Sequence, residues 1–245
     1  MPTDTWNELV LPENRLASPN YNSRKPANRK PSHIVIHVTG TNDLASVTGN
    51  FLKKDSVSAH YLAGRDGVLY QFVPDDLRAW HAGIDSATRK LYGKGKNVWQ
   101  RYLRYFGWYH GYPSDARYVD GDLKPVWDHT EATFVARADG AAWPEYEYFD
   151  ARWPGADVPV NFDVDPDPNN HAIGIETMGF GASTPDPNVY PEPMYASLRT
   201  LVSNLSQKYD IPMEPGRVVG HEDVNPIGRF GWDPGAGFDW SRVHA

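Results

Sequence analysis

Short apolar runs alternate along this chain with polar, turn-forming stretches, and the runs carry two different periods. His33-Ile34-Val35-Ile36-His37-Val38-Thr39 is continuous and β-branched, the pattern of a buried strand. Side chains alternate along a strand, so His33, Val35 and His37 share a face, with His37 at the C-terminal end. From Leu44 the period changes. Leu44, Val47 and Phe51 recur at helical spacing, with Asn42 or Asp43 as the N-cap. Strands follow around His60–Ala63 and Val68–Val73, and Gly64-Arg65-Asp66-Gly67 between them predicts a hairpin. The run His171–Gly179 reads as another buried strand, closed by the carboxylate of Glu176. Tyr195, Leu198, Leu201, Val202, Leu205 and Tyr209 mark an amphipathic helix that Pro212 stops. A last apolar run, Val218-Val219-Gly220, predicts a strand with His221 at its end. The order is strand, helix, hairpin, insertion, strand, helix, strand, loop. It predicts an α/β domain with a mixed central β-sheet flanked by helices.

Two regions fall outside that pattern. Residues up to about Ser32 form a Pro/Asn-rich arm carrying Arg24, Lys25, Arg29 and Lys30. A solvated arm wrapping the domain is the simpler reading of this cluster; attraction to an anionic polymer is the other. The second region is an insertion at about 85–170, with an amphipathic helix expected over Asn97–Phe106 and a strand over Thr133–Ala136. Its dense aromatics fit a small core of their own, with a minority lining a cleft. Asp163, Asp165 and Asp167 have spacing that suggests calcium, but the glycine and final glutamate of a calcium loop are missing. The chain therefore divides into an arm, 1–32, and one domain, 33–245.

Composition narrows the function. At 40% hydrophobic and 22% charged residues, the 245-residue chain is an ordinary globular protein. A net charge of -7 argues against a nucleic-acid partner. The lack of cysteine excludes disulfides, thiolate nucleophiles and Cys-type zinc sites. No run reaches membrane-span length, and the N-terminus shows no basic region followed by an apolar core. Synthesis in the cytoplasm without a Sec signal is the expectation.

The candidate chemistry is a metal site. His221 follows an apolar run, and Asp233 lies twelve residues later before Pro234-Gly235. A Pro/Gly-rich loop can fold Asp233 back beside His221. That supplies two of the three protein donors of an open zinc site, which keeps a fourth position for water. His37, at the end of another strand, is a third candidate. Each histidine taken alone is more often a hydrogen-bonded core or rim residue. Glu176 amid Ile and Met is costly to bury without a partner.

Four stretches carry a resemblance. They are HIVIHVTGT at 33–41, VSAHYLAGRDGVLYQFVPDDLRAWHAG at 57–83, HAIGIETMGF at 171–180, and VVGHEDVNPIGRFGWDPGAGFDW at 218–240. Through them the chain resembles the zinc-dependent N-acetylmuramoyl-L-alanine amidases of the type 2 family, which includes peptidoglycan recognition proteins. It looks closest to the bacterial anhydro-muropeptide amidase branch. The resemblance implies Zn²⁺ ligands at His37, His221 and Asp233, a catalytic glutamate at Glu176, and a substrate groove beside Trp80 and His81. The implied reaction is hydrolysis of the amide joining N-acetylmuramic acid to L-alanine, in peptidoglycan or soluble muropeptides. Two positions depart from the pattern. Ala59 stands where some relatives have tyrosine, which fits the glutamate-using branch. Gly231 stands where many have lysine, leaving Arg229 as the nearest cation for an oxyanion. His60 and His171 read as structural. A non-catalytic peptidoglycan-binding module is the alternative, and a zinc hydrolase of another amide is a third reading. Endolysin, recycling and antibacterial-toxin roles are all compatible, with export or lysis giving access to the wall. A toxin would bring an immunity protein as partner.

Overall fold

A five-stranded sheet organises the fold, in the order β4-β3-β8-β2-β9. The structure is a computed structural model. It describes residues 6–84, 167–181, 189–214, 216–225, 233–235 and 237–244, with 89, 118–119, 133–134 and 229. The strands of the sheet are β2 (His33–Val38), β3 (Tyr61–Ala63), β4 (Leu69–Gln71), β8 (Ala172–Thr177) and β9 (Val218–Gly220). Two short ribbons stand apart: β1 (Tyr21–Ser23) with β5 (Leu77–Ala79), and β6 (Tyr118–Val119) with β7 (Thr133–Phe134). Among the described residues the helices are α1 (Leu44–Leu52), α2 (Glu192–Tyr209) and the single turn α3 (His221–Val224). Only β3–β4 is antiparallel within the main sheet; β3–β8, β8–β2 and β2–β9 are parallel. The predicted mixed α/β architecture is therefore present.

The two faces of the sheet have different jobs. Residues paired in a ladder point the same way. Ile34, Ile173 and Val218 form one row, and Val35, Gly174 and Val219 the next, on the opposite face. The isoleucine face belongs to the main core, packed with Val47 and Phe51 of α1 and with the α2 stripe. In that stripe Leu198, Leu201, Val202 and Leu205 are all fully buried. Each such side chain contributes about 1.5–3 kcal/mol through burial, and a Leu198→Ala cavity would cost about 2–5 kcal/mol. The other face carries a smaller cluster of Val35, Ala82, Ala172, Val219 and Val224. It is thinner because polar side chains occupy its C-terminal end.

Local sequence accounts for the element ends. Asp43 caps α1 by accepting from the Ala45 amide at 3.0 Å. The hairpin closes with Gly64 N to Val68 O at 2.8 Å, and Gly67 sits at φ 86°, where a side chain would be strained. Asp210 ends α2 in the left-handed region, its amide bonded to Ser206 O. Among the described residues no helix is long and apolar enough to cross a membrane.

The arm is less solvated than its composition suggests. Leu16 N and Ser18 N bond to Gln71 O and Phe72 O, extending the edge of the sheet. Arg24 is only 1% exposed. Its guanidinium donates to the carbonyls of Asn169, Ala172 and Asp75 at 2.9–3.0 Å. Arg24 is thus withdrawn from the basic cluster and ties the arm to the start of β8. Most of the insertion, including the helix expected over Asn97–Phe106, lies outside the described residues. The strand expected near Thr133 is present over Thr133–Phe134.

Candidate metal centre

Register brings the first two donors together. Ile36 of β2 pairs with Gly220 of β9, so the next residues, His37 and His221, stand side by side. His221 opens α3 rather than ending a strand, and its ring centroid lies 4.7 Å from that of His37. Asp233 arrives by close packing on Gly220. A Cβ at Gly220 would lie 2.7 Å from Pro234 Cδ and 3.1 Å from Asp233 O, so only glycine admits this approach. Glu222 N donates to Asp233 O at 2.9 Å, and Tyr190 Oη donates to Pro234 O at 2.6 Å. One donor atom each from His37, His221 and Asp233 then lies within 4.8 Å of the others, all three residues being buried.

Hydrogen bonds assign the free lone pairs. His221 Nε2 is 2.8 Å from the Gly83 carbonyl, which can only accept, so the proton is on Nε2. Its Nδ1 lone pair therefore faces Asp233 Oδ2 at 3.0 Å. Two acceptors this close conflict unless a cation, either a metal ion or a second proton, relieves the contact. Asp233 Oδ1 accepts from Val38 N at 2.9 Å, which leaves Oδ2 toward the site. His37 Nδ1 lies 3.9 Å from the same Oδ2. Two imidazole nitrogens and a carboxylate oxygen are a donor set suited to Zn²⁺ with an open position. Burial holds His37 down at about 4, so it is neutral and able to ligate near pH 7. Burial works against the Asp233 carboxylate, but its contacts with His221 and His37 outweigh it and keep the group ionised.

Glu176 stands beside the donors because β8 pairs with β2 in register, Glu176 opposite His37. Paired residues share a face, so the carboxyl points where the His37 ring points. Its Oε2 is buried with no hydrogen-bond partner among the described residues. Burial and the Asp233 charge raise the Glu176 carboxyl to about 8, while Arg229 pulls the other way. Arg229 Nη1 lies 3.8 Å from Asp233 Oδ2 with its side chain 37% exposed. A cavity of about 510 Å³ opens here, lined in part by His37, His81, Glu176, His221, Arg229 and Asp233. A buried acid aimed at a cavity beside a three-donor cluster can take and return a proton.

The other candidates are placed as follows. His81 lines the cavity, its Nδ1 2.9 Å from His37 Nε2. Trp80 is half-buried, is not among the described lining residues, and is tied by its backbone to Ser58, at 2.9 Å to Oγ and 3.1 Å from Ser58 N. His60 is fully buried as a strut: its Nδ1 accepts from Gly174 N at 2.9 Å and its Nε2 meets Leu77 O at 3.0 Å. His171 lies by Arg29 at the other end of β8, 3.0 Å from its Nη1. Asp167 caps the turn Pro168–Asn170 and pairs with Arg78, while Asp163, Asp165 and Gly231 lie outside the described residues. The Gly83 carbonyl, Tyr190 and Gly220 are contributors that sequence reading missed. Only Gly220, a glycine closing an apolar strand just before a histidine, left a trace there.

The family profile described as N-acetylmuramoyl-L-alanine amidase (Amidase_2) matches residues 27–236. The 1,6-anhydro-N-acetylmuramyl-L-alanine amidase AmpD of Salmonella typhimurium (strain SL1344) is 35% identical over 104 residues, covering 35% of this chain and 54% of its own. The Citrobacter freundii AmpD is 38% identical over 90 residues, covering 29% and 48%. The chain thus spans about half the length of these curated relatives. A crystal structure of a selenomethionine AmpD derivative superposes with a TM-score of 0.54 at 21% identity, covering 98% of this chain and 94% of that one, a likeness of fold. The 27–236 match takes in every strand of the main sheet and all three clustered donors, and on that extent the chain belongs to the N-acetylmuramoyl-L-alanine amidase family.

Proposed function

We propose that this protein is a zinc-dependent amidase that hydrolyses the bond between the lactyl group of N-acetylmuramic acid and L-alanine in muropeptides. The observation that carries the reading is the placement of Glu176, whose buried Oε2 has no hydrogen-bond partner among the described residues, beside the convergent His37, His221 and Asp233 donors. Family membership supplies the bond; the geometry supports metal-assisted hydrolysis. The likeness to the AmpD relatives, named for 1,6-anhydro-N-acetylmuramyl-L-alanine, favours soluble anhydro-muropeptides over intact wall.

His37, His221 and Asp233 would hold the zinc. When bound, zinc supplies Lewis-acid chemistry, polarising the scissile carbonyl and acidifying water. Glu176 accepts the proton of the attacking water and returns it to the departing amine of L-alanine. A carboxyl held near neutrality suits both halves of that exchange. Arg229 places positive charge at the cavity wall, where the tetrahedral oxyanion develops.

The test is mass spectrometry of soluble anhydro-muropeptides and of purified sacculi after incubation with the protein. Free stem peptides beginning with L-alanine, lost on chelation and restored by zinc, are the expected outcome, with soluble fragments cut faster. No release from either substrate by zinc-loaded protein would overturn the reading and leave a peptidoglycan-binding module.

A further inference from the structure

His81 stands between a donor residue and the sheet, held by its ring Nδ1, its backbone and the strand beneath it. Its Nδ1 is 2.9 Å from His37 Nε2, with the two rings nearly perpendicular at 87°. Its backbone amide and that of Ala82 both donate to Asn169 Oδ1, at 3.1 and 2.8 Å. The ring lies flat against β8 at Gly174, where a Cβ would fall 2.4 Å from His81 Cγ. Its Nε2 is buried with no hydrogen-bond partner among the described residues.

Proton bookkeeping then gives His81 a role. His37 presents Nδ1 to the cluster, so its proton must sit on Nε2. That N–H points at His81 Nδ1, which must accept, and the His81 proton is left on the partnerless Nε2. Leaving an N–H buried and unsatisfied costs stability. Unlike a carboxylate, the usual partner of a ligating histidine, a neutral imidazole adds no negative charge to the site.

We propose that His81 is a positioning residue: it accepts the Nε2–H of His37, selecting the tautomer and ring orientation that aim His37 Nδ1 at the metal. The inference rests on the zinc reading above. Asn169 and Gly174 belong to the same device, one pinning the His81 backbone and the other making room for its ring.

The experiment compares wild type, His81→Leu and His81→Asn by zinc competition against a chromophoric chelator. Long-range proton–nitrogen spectra of the metal-free proteins report the His37 tautomer alongside it. Asn places an amide oxygen near the Nδ1 position and restores the acceptor; Leu does not. Expected is zinc binding weakened about 10- to 100-fold by His81→Leu, with His81→Asn within about threefold of wild type. The spectra should show His37 protonated on Nε2 in wild type and a tautomer mixture in His81→Leu. Three results would overturn the inference alone: unchanged affinity in His81→Leu, equal losses in Leu and Asn, or a wild-type His37 protonated on Nδ1. Wild-type protein that binds no zinc would overturn the zinc reading and this inference with it.

Discussion

Replacing Glu176 by Gln in chelated, metal-free protein isolates the cost of placing a carboxyl beside the donor cluster. The perturbation is nearly isosteric and removes only the ionisable group. Burial and the nearby Asp233 raise Glu176 from 4.5 in the unfolded chain to about 8 in the folded one. Below pH 4.5 both states hold the proton and the full stability is present. As pH rises from 4.5 towards 8, the unfolded chain releases a proton that the folded chain keeps. Stability then falls by about 1.4 kcal/mol per pH unit, and the total loss above the folded pKa is at most about 5 kcal/mol. The main core lies on the opposite face of the sheet and does not depend on the metal. Urea unfolding of wild type and Glu176→Gln at several pH values across that window reads the effect. The buried Gln amide has its own cost, but that cost does not change with pH, so only the difference in slope counts. Wild-type stability should fall with pH relative to the variant, and zinc should flatten the difference by placing positive charge beside the carboxyl. Parallel curves in the absence of metal would refute the reasoning.

Further outcomes follow from the same geometry. His37→Ala and Asp233→Ala should each lose stoichiometric zinc by elemental analysis after gel filtration, and full retention in both would remove them as ligands. Glu176→Gln should keep zinc but lower turnover at least 100-fold in a muropeptide assay, because proton transfer of this kind contributes about 10²–10⁴. Arg229→Ala should lower kcat about tenfold with little change in KM, less than a fully enclosed oxyanion donor would, given its exposure; equal effects on both constants would assign it to binding. Gly174→Ala should cost about 1–3 kcal/mol in thermal or urea unfolding through its clash with the His81 ring, and a neutral result would mean that ring is free to move. Arg24→Met should cost about 3–5 kcal/mol, since three buried carbonyls lose their donor.

Local pattern made much of this protein legible. β2, α1, the β3–β4 hairpin, β8, α2 and β9 could be read from period and end signals, because each buries a stripe its own sequence marks. Strands β1 and β5 could not. At three residues each they carry no period, and they exist because the arm folds back on the chain before Trp80. The reading of Arg24 as solvated failed for a related reason: an arginine becomes a core residue only where tertiary structure leaves carbonyls for it to satisfy. Likewise, His81 read as a groove residue, and only its distance to His37 shows a hydrogen-bonding partner.

The sequence by itself determined which side chains are available for the chemistry: two histidines at the ends of β-branched runs, an acid closing a third, and an aspartate before a Pro-Gly turn. It also set the element types, since side-chain period is a local property of the chain. Only the tertiary structure decided that these groups meet. Parallel register sets Glu176 against His37, and Gly220 lets Asp233 settle beside His221. The Gly83 carbonyl and the His81 imidazole then set which nitrogen each ligating ring presents. Those relations join residues from twelve to more than a hundred positions apart, and the closeness that creates them comes from sheet pairing and backbone packing, which the side-chain period does not encode.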